Sequence, residues 1–253
     1  MNTMLMNLPA SQFERHFERL DVDGTIQFYQ AVQACQLATG AREVLDFGAG
    51  RGGPIHAARE AGNRYKAFLL DLRSLGARVT VCDIDDAVRT HPAADRVELI
   101  GPDEPLPFAD ETFDLIVSDN TFEHIARPGT VAHELLRILR PGGIICARTP
   151  NKYGYVALAA RLLPEGLYGP ILRKAQPDWE DRDKFPVHYR LNDRSSLRRH
   201  FSGVSVTICH PDFEPSYFFN SKMIRNAMRL LHALMPAALR PAMIVLIRKA
   251  PFA

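Results

Sequence analysis

Val44-Leu45-Asp46-Phe47-Gly48-Ala49-Gly50-Arg51-Gly52-Gly53 constrains this chain more than any other stretch. A short apolar run ends in a glycine cluster, with an acidic residue two positions before the first glycine. Glycines that turn a strand into a helix N-terminus leave bare peptide at the turn, where a nucleotide-like ligand can lie. Such a turn belongs to an open α/β sheet, whose ligands sit at the carboxyl ends of the strands.

The remaining sequence keeps up the alternation that such a sheet needs. Strands are expected over residues 43–47, 78–82, 96–100, 113–118, 144–149, 204–209 and 243–248. Helices are expected over 11–20, 25–38, 54–75 with a break near Gly62, and 131–139, where Pro141-Gly142-Gly143 stops the helix. One more is expected over 220–235. The run 113–118 is almost wholly apolar, as a strand buried on both faces requires. The expected fold is a doubly wound, Rossmann-like seven-stranded α/β sheet with right-handed crossovers. A chain of 253 residues fits one domain of this kind. Its parts are N-terminal helices over 1–42, a core over 43–151, an insertion over 152–200, and last strands with a helical insertion over 201–253.

Composition narrows the class. Apolar residues make up 46% and charged residues 24%, the ordinary balance of a soluble globular protein. A net charge of +2 gives no global electrostatic case for nucleic acid. Cys35, Cys82, Cys146 and Cys209 show no C-x-x-C spacing. Three of them fall in expected strands, where a buried thiol packs as a small apolar residue. That suits a reducing, cytoplasmic setting. Residues 1–20 carry charges where a signal peptide is apolar, and no apolar run approaches the ~20 residues of a membrane span.

Two cofactor patterns overlap on the glycines. Gly48-x-Gly50-x-x-Gly53 satisfies the dinucleotide fingerprint. Asp46 weighs against it, because a pyrophosphate over these glycines would meet a carboxylate. A ligand with a cationic end, such as S-adenosylmethionine with its ammonium and sulfonium, is favoured there. Asp83 ends the second expected strand in Val79-Thr80-Val81-Cys82-Asp83-Ile84-Asp85. In such a sheet it sits beside the first strand end and can accept both ribose hydroxyls of a nucleoside. Otherwise it only caps the next helix. Asp85 and Asp86 are read as caps or solvent-facing groups.

Further along come Leu106-Pro107-Phe108-Ala109-Asp110-Glu111-Thr112-Phe113-Asp114, Phe122-Glu123-His124-Ile125, Leu139-Arg140-Pro141-Gly142-Gly143 and Thr149-Pro150-Asn151. With Asp46-x-Gly48-x-Gly50-x-Gly52, they stand in the order and spacing of class I S-adenosylmethionine-dependent methyltransferases, which residues 43–151 resemble. Phe185-Pro186-x-His188-Tyr189-Arg190-Leu191-Asn192 and the C-terminal helix and strand resemble a bacterial branch often met near polysaccharide and envelope biosynthesis genes. The resemblance implies S-adenosylmethionine as cofactor, held by Asp46, Gly48, Ala49, Gly50, Gly52, Asp83, Ile84, Asp103 and Ser118. Many relatives place an aspartate four residues before the leucine of L-P-F to bond the adenine amino group. Here Pro102 stands at that position and has no acceptor side chain, so Asp103 is taken for that contact. Ile84 is taken for one adenine face.

Methyl transfer mainly requires a nucleophile held in line. A hydroxyl acceptor also needs a base near its proton. Asp119, Glu123 and His124 follow the fourth strand, where cofactor and acceptor meet. Asp119 is read as orienting either one. His124 either takes a proton or braces its loop. His188 and Tyr189 are further candidates, and His56 is read as structural. No set of metal ligands stands out.

Substrate choice is expected in the insertion over 152–200. It carries Tyr153, Tyr155, Tyr168, Trp179, Phe185 and Tyr189, with Arg161, Arg173, Lys174, Arg182, Lys184 and Arg190 among them. Such a lid can hold a sugar, a lipid-linked phosphate or RNA, although most of the charges suit a solvated face. In the helix over 220–235, apolar residues share one face and Lys222, Arg225, Arg229 and His232 another. It can rest on an anionic membrane surface, pack on its own domain, or join two copies in a homo-oligomer. The expected activity is methyl transfer to a small-molecule, glycan-linked or lipid-linked acceptor, at oxygen. The alternatives are an RNA methyltransferase, a catalytically silent S-adenosylmethionine-binding partner protein, and an NAD(P)-dependent oxidoreductase. Ser118-Asp119-Asn120-Thr121 replaces the D/N-P-P-Y/F type of motif used on nucleic-acid amino groups.

Overall fold

A computed structural model describes residues 24–102, 104–155, 157–158, 185–211 and 221–251. Seven strands form one sheet: β1 (Glu43–Phe47), β2 (Arg78–Asp83), β3 (Arg96–Leu99), β4 (Phe113–Asp119), β5 (Leu139–Pro150), β6 (Ser205–Cys209) and β7 (Ala242–Arg248). Their order across the sheet is β3-β2-β1-β4-β5-β7-β6. The first five strands pair in parallel, and β7 runs antiparallel between β5 and β6. The order reverses between β1 and β4, so the ends of those strands open the crevice where ligands bind in such sheets.

Alternating side chains put one core on each face. Val44, Val79, Val81, Leu115 and Val117 pack on one side with Phe28, Tyr29 and Val32 of α1 (Gly24–Thr39). Leu45, Ile116, Ile145 and Val245 pack on the other, with Leu135 and Ile138 of α4 (Pro128–Ile138) and Leu197 of α5 (Arg194–His200). Each helix closes over a face that is apolar at strand period, the pattern that a three-layer α/β domain requires.

The strands fall within one residue of their expected bounds except β5. Its pairing starts at Leu139, and its register on β4 shifts between Phe113 and Leu115. Pro141-Gly142-Gly143 therefore lies inside the strand as a bulge and does not stop the helix, which ends at Ile138. The expected 54–75 helix is three pieces: α2 (Gly53–Glu60), α3 (Arg64–Leu70) and a 3-10 turn at Leu72–Leu75. Asn63 starts α3 by accepting from the Lys66 amide. Cys82 and Cys146 are buried as expected of strand thiols, and Cys35 is buried on α1; Cys209, expected to be buried as well, is exposed because β6 is the edge strand. The edge strand β6 leaves one face to solvent. The helix α6 (Lys222–Leu234) stands between β6 and β7, where a helical insertion is expected. The expected 11–20 helix and most of the 152–200 insertion, with Tyr168, Trp179, Arg161, Arg173, Lys174, Arg182 and Lys184, lie outside the described residues. No described helix is long and apolar enough to cross a membrane.

Candidate active site

The ends of β1, β2 and β4 lie side by side, with Asp46 opposite Val81 on one flank and Val117 on the other. Beyond them the glycine loop is bolted down by its backbone. The amides of Gly48 and Ala49 donate to the Cys82 carbonyl at 2.9 and 3.2 Å. The Gly50 amide donates to Asp83 Oδ2 at 2.8 Å, and the Asp85 amide to Asp83 Oδ1 at 2.9 Å. Asp83 thus ties the loop to β2. The cap of the following turn is Asp85, which accepts from the Ala87 amide.

Two glycines in this loop do different work. Gly48 has φ +78°, and a Cβ there would lie 2.2 Å from Thr121 Oγ1, so this glycine lets two loops touch. Gly50 has φ +53°, and a Cβ there would meet nothing within 4 Å. Its open side is a place where a ligand can lie against the peptide. Gly52 precedes α2.

The charge around this opening is negative. Asp46 is buried, and its carboxylate makes no hydrogen bond or ion pair among the described residues. Burial, helped by the nearby Asp119 and Asp83 carboxylates, pushes its pKa up to about 7. A buried carboxylate with no cation beside it suits a ligand that brings its own positive charge. Asp119 differs, since Arg148 grips both its oxygens, Nε at 2.6 Å and Nη2 at 2.7 Å. Arg148 also reaches Thr25 and lies 5.2 Å from the Phe28 ring centroid, so α1 fixes the guanidinium. Ile84, 45% exposed beside Asp83, offers an apolar surface at the crevice edge.

A second cluster follows β4. Glu123 is buried, and burial pushes its pKa up to about 7. Its Oε2 accepts from Thr149 Oγ1 at 3.0 Å, and Thr149 Oγ1 accepts from Asn192 Nδ2 at 2.7 Å. Its backbone carbonyl accepts from the amides of His188 and Tyr189 at 2.7 and 3.2 Å. The imidazole Nδ1 of His124 lies 3.0 Å from the Pro186 carbonyl, with the Phe185 ring edge-on at 5.9 Å. A carbonyl only accepts, so Nδ1 carries the proton and Nε2 the lone pair. Burial holds the His124 pKa below the usual imidazole value.

The structure therefore gathers Asp46, Gly48, Ala49, Gly50, Asp83 and Ile84 at one end of the crevice. Asp119 and His124 follow the same β4 end. Ser118 is fully buried, its hydroxyl without a hydrogen-bond partner, and by strand alternation it lies on the face opposite Asp119. Asp103 lies outside the described residues. His56 is exposed on α2. Thr121, Arg148, Thr149 and Asn192 were not singled out by sequence reasoning as site residues. Arg148 carries a visible signal, a charge inside the otherwise apolar run 144–149. Among the described residues, no group of three or more His, Cys, Asp or Glu could hold a metal ion.

Comparison with known proteins agrees with this fold. Residues 45–147 match the family model described as "Methyltransferase domain". An "uncharacterized methyltransferase" of Mycobacterium avium is 35% identical over 105 residues, 41% of this chain and 37% of that protein. One from Mycolicibacterium gilvum is 37% identical over 102 residues, 40% of this chain and 36% of that protein. The chain thus spans little more than a third of the length of these relatives. The crystal structure of a SAM dependent methyltransferase from Archaeoglobus fulgidus superposes with a TM-score of 0.52 at 15% identity, covering 94% of this chain and 99% of that one. That likeness concerns the fold. Residues 45–147 thus match a methyltransferase domain, and the sheet around them has the class I S-adenosylmethionine-dependent methyltransferase fold.

Proposed function

We propose that this protein transfers a methyl group to a hydroxyl of a small-molecule or glycan-linked acceptor. The observation that carries the cofactor side is the pairing of an unpartnered, buried Asp46 with the open backbone at Gly50. When bound, S-adenosylmethionine supplies a methyl group already activated on a sulfonium.

Asp46 faces the cationic methionine end. Asp83 accepts from the ribose hydroxyls, with Gly48, Ala49, Gly50 and Gly52 lining the path between. Ile84 covers one adenine face, and Asp103 accepts from the adenine amino group. Ser118, sealed in the sheet, supports the strand end. Asp119, held at both oxygens by Arg148, serves to orient. His124 is the proton acceptor: its Nδ1–H is engaged by Pro186, burial keeps the ring neutral, and Nε2 is left for the acceptor hydroxyl proton.

Calorimetry tests the cofactor side. S-adenosylhomocysteine binds, and NADH binds far more weakly. Tight NADH binding with no response to S-adenosylhomocysteine would sink the proposal. Identification of a metabolite that copurifies with the protein supplies the acceptor.

Asp83→Ala weakens S-adenosylhomocysteine by about 1.5–3 kcal/mol, the scale of charged hydrogen bonds. It also frees the Gly50 amide from its anchor, so the apoprotein melts a few degrees earlier. Unchanged affinity in the folded variant would reduce Asp83 to a loop anchor.

His124→Gln separates brace from base. Its amide can still donate to the Pro186 carbonyl, but it cannot take a proton. S-adenosylhomocysteine affinity stays within a few-fold, and turnover at saturating acceptor falls by about 10²–10⁴. Turnover near wild type would assign His124 to bracing alone.

A further inference from the structure

The helix α6 leaves its apolar stripe exposed. Surface helices of a globular domain bury their apolar stripe and expose their polar one. In α6 the residues Met223, Ala227, Leu230, Leu231 and Leu234 fall on one face at helical spacing. Met223 is 79% exposed, Leu230 63%, Leu231 46% and Leu234 76%. The one fully described residue of α6 that is buried is a histidine, His232, at 2% exposure.

The orientation is built, because polar contacts hold the helix and its exit. His232 Nε2 lies 2.9 Å from the Tyr155 hydroxyl. Asn151 Nδ2 donates to the carbonyls of Ala238 and Arg240 at 2.8 and 2.9 Å, and the Asn151 amide to that of Pro241 at 2.8 Å. Arg240 Nη1 donates to the His210 carbonyl at 2.7 Å. Just past β5, Gly154 lets this exit pass close: a Cβ there would lie 2.7 Å from the Pro241 Cα. Leu239 on the exit is a further exposed apolar residue, at 44%. The helix is held through His232, its exit through Asn151 and Arg240, and its leucines face outward.

The charge chooses the occupant. The sequence of α6 holds Lys222, Arg225 and Arg229 and no Asp or Glu. A second copy seated on this face would bring three more Lys or Arg in its own α6 and no acid to answer them. A bilayer with anionic headgroups answers both features, its acyl boundary the leucines and its phosphates the bases. We infer that α6 docks this protein on an anionic lipid surface. The helix lies in the interface, since at 13 residues it is too short to span.

The full-length chain is floated with vesicles of phosphatidylcholine alone and of phosphatidylcholine with phosphatidylglycerol. It binds the second far better, and added salt weakens the binding. The double variant Leu230→Gln/Leu234→Gln, changed only at exposed positions, lowers the partition coefficient roughly tenfold or more, ~1.4 kcal/mol per tenfold. An unchanged melting temperature confirms that this variant is folded. Failure of wild type to bind either vesicle overturns the inference, as does equal binding by the folded variant. So does a dimer in sedimentation that the double variant dissolves while wild type ignores vesicles. None of these outcomes touches the cofactor proposal, which S-adenosylhomocysteine calorimetry on the same samples reads separately.

Discussion

Gly50→Val yields a folded protein that does not bind S-adenosylhomocysteine. The Cβ at this position enters empty space, so no neighbour in the apoprotein has to move. The cost to the fold is that of a β-branched residue at φ +53°, about 1–3 kcal/mol. The cost to the ligand is larger, because the added methyls fill the space along the peptide that the proposed cofactor needs. Gly48→Ala is the contrasting control. Its Cβ would sit 2.2 Å from Thr121 Oγ1, so the damage falls on the contact between two loops and appears first as lost stability. Circular dichroism and calorimetry on the two variants separate the effects. A folded Gly50→Val protein with normal S-adenosylhomocysteine affinity would place the cofactor elsewhere.

Asp46→Asn makes the ligand-free protein more stable at pH 8 and cripples cofactor binding. Asp46 has a folded pKa raised from 3.8 to about 7. Between those values the native state binds more protons than the unfolded chain, so stability falls as pH rises through this window. Asparagine removes the titration. At about 1.4 kcal/mol per pKa unit, the gain at pH 8 is of the order of a few kcal/mol. Glu123, also raised to about 7, acts in the same direction, so the decline shrinks in the variant without vanishing. A cationic ligand reverses the trend. It favours ionised Asp46, so the rise in melting temperature given by S-adenosylhomocysteine, whose ammonium remains, grows from pH 5 to pH 8 in wild type and flattens in Asp46→Asn. A pH-independent ligand increment in wild type would show that Asp46 does not face the cation.

Much of this architecture was legible because parallel strands write themselves plainly. Apolar runs such as 113–118 are buried on both faces, and β1 matched its expected bounds residue for residue. Pro141-Gly142-Gly143 misled for a definite reason. The same residues that end a helix also make a bulge, and only the register of β4 on β5 tells which they do. The 54–75 segment breaks near Gly62 as expected, where a glycine and an asparagine end one helix and start another; the separate 3-10 turn at Leu72–Leu75 is a choice that helical periodicity alone does not settle.

The site divides in the same way. Asp46, the glycines and Asp83 could be read because local turn chemistry and strand ends fix them. The partners of Asp119 and Glu123 could not. Arg148 and Thr149 come from β5, and Asn192 from the far end of the insertion, 43 residues after Thr149. Nothing local joins these residues, and only strand order brings them together. His124 offered two readings that seemed exclusive, base or brace. One hydrogen bond at Nδ1 holds the loop, as a brace does, and chooses the tautomer that the proposed base needs.

That bond also decides what can vary around the ring. The carbonyl that fixes the His124 tautomer belongs to Pro186, and the next residues hang from the Glu123 carbonyl through the amides of His188 and Tyr189. On the insertion's side each of these bonds is made by backbone. The side chains of residues 186–189 can therefore be exchanged while the ring proposed as proton acceptor keeps its proton on Nδ1.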